Sequence, residues 1–453
     1  MRKFSKEERS WVMYDWADSV FATIMMAAVF PVFFVNVSGG EGSLGSMWWA
    51  WGMVATQLFL GIAAPILGAV VDFKGYKKRL FVVFLSCGVA VLLVLALQSA
   101  WQLLLLGYVM ANIFWSLTMV IYDSYLPDIT TKDRMDKVSA WGYAMGYIGG
   151  STIPFLISIV LILFGENFGV DATLAVRISI VMTALWWGLF SIPIIKNVHH
   201  KYGMETPKKG FVAETFRNIF DTGKIIIRNK GLIAFIIAYF FYIDGVGTVI
   251  RMATAYGAEL GLGAEGMIGA LFVTQVVAVP FSLLFGKLSG KINPINLITA
   301  AIGMYVLICI TGFLMGFGLE ENWFGVGTAI ILFWMLAFMV GTVQGGIQAI
   351  SRSTFGRLVP PEKSGEYFGF FEIFGRFASI LGPTLYAVIL QSTGRASFSI
   401  LSIIAIFLAG LTLLSIGRKH IIPQLGRPQQ AQPQLGQPQL GQPQQPEQAQ
   451  PGR

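Results

Sequence analysis

Twelve long apolar runs constrain this chain more than any other feature of it. The first spans about Trp11 to Val37. The others lie near residues 48–71, 80–98, 101–124, 138–164, 174–195, 231–257, 264–286, 294–317, 325–350, 366–391 and 397–417. About 20 apolar residues in helical form cross a bilayer. Inside hydrocarbon every backbone N–H and C=O needs a partner within the segment, which makes such runs helices. Composition agrees, because 55% hydrophobic and only 12% charged residues leave too little polar surface to cover a soluble globule. The first run is too long for a signal-peptide core and lacks a small-residue cleavage site. The chain is therefore expected to be an all-α polytopic membrane protein with twelve transmembrane helices.

An even span count puts both termini on one side, and Lys/Arg placement selects that side. With the termini and the even-numbered connections in the cytoplasm, 28 of the 32 basic residues are cytoplasmic; Arg177, Arg251, Arg376 and Arg395 are the exceptions. The opposite loops hold mainly Glu41, Glu166, Asp171, Glu259, Glu265, Glu320 and Glu321. This predicts a multi-pass protein of the cell (cytoplasmic or inner) membrane with both termini cytoplasmic. The net charge of +8 is then a topology signal. Basic residues are expected to touch anionic membrane lipids, and no nucleic acid partner is expected. Cys87 and Cys309 lie in apolar runs, which argues against a disulfide framework. His199, His200 and His420 lie in polar segments and build no metal site within the membrane. No nucleotide-binding loop or enzyme motif is present, and no cofactor is expected.

The basic connection 196–230 divides the runs six and six, giving bundles at 1–195 and 231–417. Equal halves suggest a duplication. Met13-Tyr14-Asp15-Trp16 echoes Phe241-Tyr242-Ile243-Asp244, with the acids offset by one residue. Residues 418–453 read as a disordered Pro/Gln/Gly-rich cytoplasmic tail, with Gln432-Pro433-Gln434-Leu435-Gly436 repeated five residues on.

Charges inside the spans are the functional candidates, since each costs roughly 2.5–3.5 kcal/mol at a helix centre. Asp244 and Arg251 lie within the seventh run. Their seven-residue separation puts them on one helix face about 10.5 Å apart along the axis. That is too far for a tight bond unless both side chains reach, so each is expected to have its own partner: a substrate end, Asp18, or a group such as Glu372. A buried structural ion pair is the competing reading. Asp15 and Asp18 share a face of the first helix and would bind a proton, a cation or a substrate amine, or else cap the helix start. Glu372 and Arg376 have the i, i+4 spacing of an intrahelical ion pair. Gly369, Gly375 and Gly382 on that helix suggest close packing. Gln344 and Gln348, one turn apart, either line a cavity or bond neighbouring helices. Tyr122 and Asp123 at the end of the fourth span read as a gate contact or as plain interfacial residues.

The loop Gly68-Ala69-Val70-Val71-Asp72-Phe73-Lys74-Gly75-Tyr76-Lys77-Lys78-Arg79 resembles the signature loop of the major facilitator superfamily. In that setting Asp72 accepts bonds from a neighbouring helix end or a basic residue while one gate is closed, with Lys77 and Lys78 beside it. The equivalent loop Gly286-Lys287-Leu288-Ser289-Gly290-Lys291 lacks the acid. A narrower resemblance rests on Trp11-x-x-Tyr14-Asp15-Trp16-Ala17-Asp18-Ser19, Tyr122-Asp123-Ser124-Tyr125-Leu126-Pro127-Asp128-Ile129 and Asp244-Gly245-Val246-Gly247-Thr248. It extends to Gln344-Gly345-Gly346-x-Gln348-Ala349-x-Ser351-Arg352-Ser353 and to Glu372 and Arg376 between Phe368-Gly369 and Gly382-Pro383. Together these resemble the vacuole effluxer family, the fungal vacuolar amino-acid effluxers and their bacterial relatives. Asp18 stands where Asn is expected in most relatives. The resemblance implies the major facilitator fold, two six-helix bundles rocking about a central site. It implies a permease without fixing the substrate. The charges within the spans suggest a small polar solute, and the resemblance adds an amino acid as one candidate. The available acids, with no nucleotide-binding loop, make protons the leading coupling ion. Asp244 or Asp18 would then hold an ammonium and Arg251 a carboxylate. The alternatives are a non-transporting membrane sensor or scaffold that kept the fold, and an exporter of apolar or lipid-like compounds.

Overall fold

The structure is a computed structural model that describes residues 4–38, 43–205 and 211–426. Among them are twelve helices long and apolar enough to cross a membrane. The first six are helix 1 (Lys6–Val37), helix 2 (Met47–Val71), helix 3 (Tyr76–Leu95), helix 4 (Trp101–Ser124), helix 5 (Met135–Phe168) and helix 6 (Ala172–Asn197). The second six are helix 7 (Lys230–Glu259), helix 8 (Gly269–Leu288), helix 9 (Pro294–Glu320), helix 10 (Val326–Leu358), helix 11 (Pro361–Thr393) and helix 12 (Ala396–Leu425). Outward-pointing apolar residues such as Ile62, Leu97 and Ile331 stay exposed, as a lipid-facing surface requires. The side at which helix 1 starts and helix 12 ends is here called the lower face.

Each set of six helices closes around its own apolar core. One core runs from Phe4 to Val198, the other from Ile226 to Ile421. A matching pair of hydroxyl contacts marks the two halves as copies. Tyr14 of helix 1 donates to Thr118 Oγ1 of helix 4 at 2.9 Å. Tyr242 of helix 7 lies 2.7 Å from Ser351 Oγ of helix 10. The echo between Tyr14 and Tyr242 in the sequence is thus an echo in space.

Local chemistry sets the helix ends. Ser5 and Glu8 form a reciprocal capping box at the start of helix 1. Asn229 and Asn293 cap helices 7 and 9 through their side-chain oxygens. Helices 1 and 5 each contain a π-helical stretch, Phe21–Ala28 and Gly146–Thr152. These stretches pack against one another. The contact needs Gly150, because a Cβ there would come within 2.9 Å of the Val20 nitrogen. Gly142, Gly146 and Gly149 of helix 5 lie equally close to Asp15, Ser19 and Trp16 of helix 1.

Several helices outlast their apolar runs. Helix 10 continues to Leu358, eight residues past the end expected from hydropathy. Helix 12 continues to Leu425, so residues 418–425, expected in a disordered tail, are helical. The physical reason is packing: Ile421 is fully buried, and Gln424 Nε2 donates to Asn229 Oδ1 at 2.8 Å. The remainder of the expected tail lies outside the described residues. The connection expected as a basic linker holds a helix, Phe211–Arg228, that packs on helices 2, 7 and 11.

The halves meet along two seams. Helix 2 packs on helix 11, and helix 5 packs on helices 8 and 10. Backbones come close in the first seam, where a Cβ on Gly369 would lie 2.6 Å from the Ala64 carbonyl oxygen. Gly369→Leu should therefore wedge helix 11 away from helix 2. In a protein with Cys87 and Cys309 replaced by Ser, a Cys placed at the fully buried Ser124 should be labelled by maleimide severalfold faster in the Gly369→Leu background. Equal labelling rates would show that this seam does not hold the lower face shut.

Candidate functional site

Three clusters of buried charge join the halves at the lower face. The first is Asp72, just past the end of helix 2. Its carboxylate accepts from the Gly365 and Glu366 amides at 2.7 and 2.8 Å. Those amides belong to the first turn of the α-helical part of helix 11, which starts at Ser364. An acid of one half thereby caps a helix of the other, at the end where the helix dipole favours negative charge. Gly75, at φ +84°, makes the turn that follows. Burial pushes the Asp72 carboxyl up to about 8, against the opposing pull of Lys77 and the two amides.

The second cluster centres on Lys77, which is fully buried. Its Nζ lies 3.0 Å from Asp128 Oδ2, 3.1 Å from Ser364 Oγ and 3.2 Å from the Ser124 carbonyl. The other Asp128 oxygen accepts from the Lys201 and Tyr202 amides at 2.9 and 3.2 Å. Met204 bonds the Asp72 and Lys74 backbone at 2.8 Å each. The start of the linker is thus strapped across the signature loop. His200 sits in the strap with neither ring nitrogen bonded, and burial next to Lys77 lowers its pKa to about 4. Lys78, expected to act with Lys77, is half-buried and forms no ion pair among the described residues, so it stands beside this lock and not in it.

The third cluster is built around Arg352 of helix 10, which is 3% exposed. Its guanidinium donates to Asp15 Oδ2 at 3.0 Å and to Asp123 Oδ1 at 3.2 Å. Its Nε donates to Ser139 Oγ at 2.9 Å. The rings of Tyr143 and Trp11 lie 4.5 and 4.6 Å from the guanidinium carbon, and Tyr122 lies at 5.5 Å. One turn on, Asp136 of helix 5 accepts from Ser353 at 2.6 Å and pairs with Arg357 at 2.5 Å. Asp18 is 3% exposed, and its Oδ1 has no hydrogen-bond partner. Such pairs are costly to break on one side, because removing one partner strands the other charge away from water.

Above these clusters, midway through the halves, Gln344 donates to the Tyr147 hydroxyl at 3.1 Å. Gln348 donates to the Gln344 carbonyl at 3.1 Å. Glu372 and Arg376 form the intrahelical pair that their spacing allows, at 3.3 Å.

Asp244 and Arg251 behave differently. Asp244 is 1% exposed, and both its carboxylate oxygens lack a hydrogen-bond partner. It lies against helix 11, where a Cβ on Gly382 would approach its Oδ2 to 3.1 Å. Arg251 folds back along its own helix, where a Cβ on Gly247 would meet its Nη1 at 2.8 Å. Asp244 therefore bonds neither Arg251 nor the expected partners Asp18 and Glu372.

The structure thus gathers Asp15, Tyr122 and Asp123 in one cluster, and Asp72 and Lys77 in two adjoining ones. The residue that unites the first group, Arg352, escaped the sequence reading. Hydropathy ended helix 10 at residue 350 and left Arg352 among cytoplasmic loop residues. Its place in Gln344-Gly345-Gly346-x-Gln348-Ala349-x-Ser351-Arg352-Ser353, at helical spacing from Gln344 and Gln348, was the available signal. Asp128, Asp136 and Arg357 were passed over for the same reason.

Two expectations follow. Arg352→Ala should lower stability by about 3–5 kcal/mol, the usual cost of stranding a buried charge. Adding Asp15→Asn should recover part of that loss in thermal unfolding, and further destabilisation by the double change would refute the pairing. For Asp72, the closed arrangement raises the pKa from an ordinary 3.8 to about 8. The group's contribution to closure is therefore complete below pH 4 or so and lost as pH rises through about 8. Labelling of a Cys at residue 124 should accelerate between pH 6 and 9, after correction for thiolate formation, and Asp72→Asn should flatten that pH profile.

Comparison with known proteins places this architecture. The family model described as "Vacuole effluxer Atg22 like" matches residues 53–419. An uncharacterised MFS-type transporter of Bacillus subtilis, YxiO, is 42% identical over 422 residues, covering 92% of this chain and 95% of that protein. Autophagy-related protein 22-1 of Aspergillus fumigatus is 26% identical over 306 residues, covering 61% of this chain and 48% of its own length. The chain thus spans about half of that fungal relative. Among solved structures, the proton:xylose symporter XylE bound to 6-bromo-6-deoxy-D-glucose superposes with a TM-score of 0.65 at 12% identity, covering 91% of this chain and 94% of that one. A bacterial homologue of the iron transporter ferroportin in an outward-facing state gives 0.58 at 13% identity, covering 93% and 99%. At such identities these two share the fold alone.

Proposed function

From the premise that the chain belongs to the Atg22-like vacuole effluxer family of major facilitator transporters, we propose that it moves a small polar solute by alternating access, coupled to protons. The observation that carries this reading is the separation of two self-contained cores by a seam of buried, mutually dependent charges. Each bundle keeps its own apolar interior, so the seam can open without unfolding either. The named bonds between the halves run from the lower face up to the level of Tyr147 and Gln344. This supports a state shut on the lower side. The distribution of Lys and Arg supports a cytoplasmic lower face in the cell membrane, with both ends of the chain there.

Two acids are the proton-site candidates. Asp18 and Asp244 are buried with unpartnered oxygens, and neither is consumed by an ion pair. A carboxyl group there is most easily kept neutral, so protonation relieves the burial cost and deprotonation restores it. Glu372, Arg376, Gln344 and Gln348 offer charge of both signs and amide groups at the middle of the seam, which suits a zwitterion such as an amino acid. Arg251 would meet a carboxylate nearer the upper face. Asp72, Lys77, Tyr122, Asp123 and Asp15 then act as the gate.

One observation favours a second reading. The upper half of the second bundle holds a partly open pocket walled mainly by apolar residues, including Ile250, Leu271, Phe333 and Leu336. An apolar cargo would fit it better than a charged one.

Proteoliposomes separate these readings. A panel of amino acids and sugars should include at least one solute whose accumulation follows an imposed pH gradient. Asp244→Asn and Asp18→Asn should abolish gradient-driven accumulation while solute counterflow persists. Unchanged accumulation in both variants would remove the acids from the coupling. Movement of apolar compounds alone would favour the second reading.

A further inference from the structure

We propose that the first bundle carries a binding cage for an organic cation, a guanidinium or a primary ammonium, which Arg352 fills while the lower face is closed and vacates when it opens. The proposal rests on the alternating-access reading above. The residues around the Arg352 guanidinium divide cleanly between the halves. Trp11 and Asp15 come from helix 1, Tyr122 and Asp123 from helix 4, and Ser139 and Tyr143 from helix 5. Arg352 comes from helix 10, across the seam. Separating the halves removes the cation and leaves its entire surround behind.

That surround has the chemistry of a receptor. Two carboxylates face the forked N–H groups, and a hydroxyl takes the Nε–H at 2.9 Å. Two aromatic rings lie at 4.5 and 4.6 Å, which suits a flat, weakly hydrated cation. A hydrated metal ion gains little from ring faces. The cage also has capacity that Arg352 leaves unused. Asp18 adds a third acid one turn from Asp15, and its Oδ1 is unpartnered. The Tyr122 hydroxyl, fully buried, is unpartnered as well. Acids therefore outnumber the cation even in the closed state. Once Arg352 leaves, the acids must find a new cation, take up protons or admit water. A substrate bearing an amine or guanidinium can take that place, and Arg352 must displace it for the face to close again. The arginine acts as a tethered competitor of the cargo.

The test uses the purified full-length protein, with ethylguanidinium and propylammonium as probes. Urea serves as the neutral isostere, and potassium chloride matches ionic strength. Binding is read from ligand-dependent thermal shifts. Arg352→Gln empties the cage without a gross change of volume, and it should bind ethylguanidinium at least tenfold more tightly than the unaltered protein. Asp15→Asn added to it should erase the gain, and urea should do nothing in either. Asp72→Ala loosens the gate and leaves the cage intact, so it should give an intermediate gain. A folded Arg352→Gln protein that binds neither cation overturns the proposal. Tight binding by Arg352→Gln with no gain in Asp72→Ala keeps the cage and overturns the opening of this face. If Arg352→Gln does not fold, Asp72→Ala decides alone, and no gain there overturns the proposal.

Discussion

Burying charge between two apolar bundles is the constraint on which this structure depends. Arg352 with Asp15 and Asp123, and Lys77 with Asp128, sit at 9% side-chain exposure or less. Withdrawing such ions from water costs several kcal/mol each, and the cost is offset only while partners stay in contact with good geometry. A seam built this way tolerates no partial separation. Either the charges meet, or the face opens far enough for water or another ion to reach them. Two discrete arrangements, and not a continuum, are what alternating access requires.

The rest of the fold delivers those charges to one another. Glycines bring helix 2 against helix 11, so Asp72 reaches two first-turn amides of the other half. The π-helical stretches of helices 1 and 5 press together, and Asp15 and Ser139 flank Arg352 from those same two helices. Helix 10 runs two turns beyond its apolar run, which carries Arg352 into the cage and Arg357 to Asp136. The linker strap from Lys201 to Met204 ties Asp128 and the signature loop together from outside. A buried polar network is stable only when nearly every member is satisfied, and these contacts meet that demand at the lower face. Among the described residues the exceptions include the Asp18, Asp244 and Glu366 carboxylates, the Tyr122 hydroxyl and the His200 ring nitrogens.

Much of this was legible before any coordinates. The apolar runs fixed twelve spans, and the signature loop marked Asp72 and Lys77. Tyr122 and Asp123 stood out as a gate contact or as plain interfacial residues, without Arg352 as their partner. Legibility failed where hydropathy met charge. A basic residue ends an apolar run by definition, so Arg352 fell outside helix 10, although helices continue wherever backbone bonds and packing allow. Asp244 and Arg251 share a helix face by spacing but were expected to have separate partners, and they do not bond one another: Asp244 packs against helix 11 and Arg251 lies back along its own helix.

The sequence by itself determined the solvent of this protein, the number of its membrane-spanning helices and the family to which it belongs. Those follow from apolar transfer and backbone satisfaction in lipid, which add up along the chain, and from short local motifs. Only the tertiary structure decided which charges meet. Asp15 and Arg352 are 337 positions apart and belong to different bundles. Their pairing depends on helix crossing, rotation and the close approach that particular glycines permit, and no quantity that sums over local sequence carries that information.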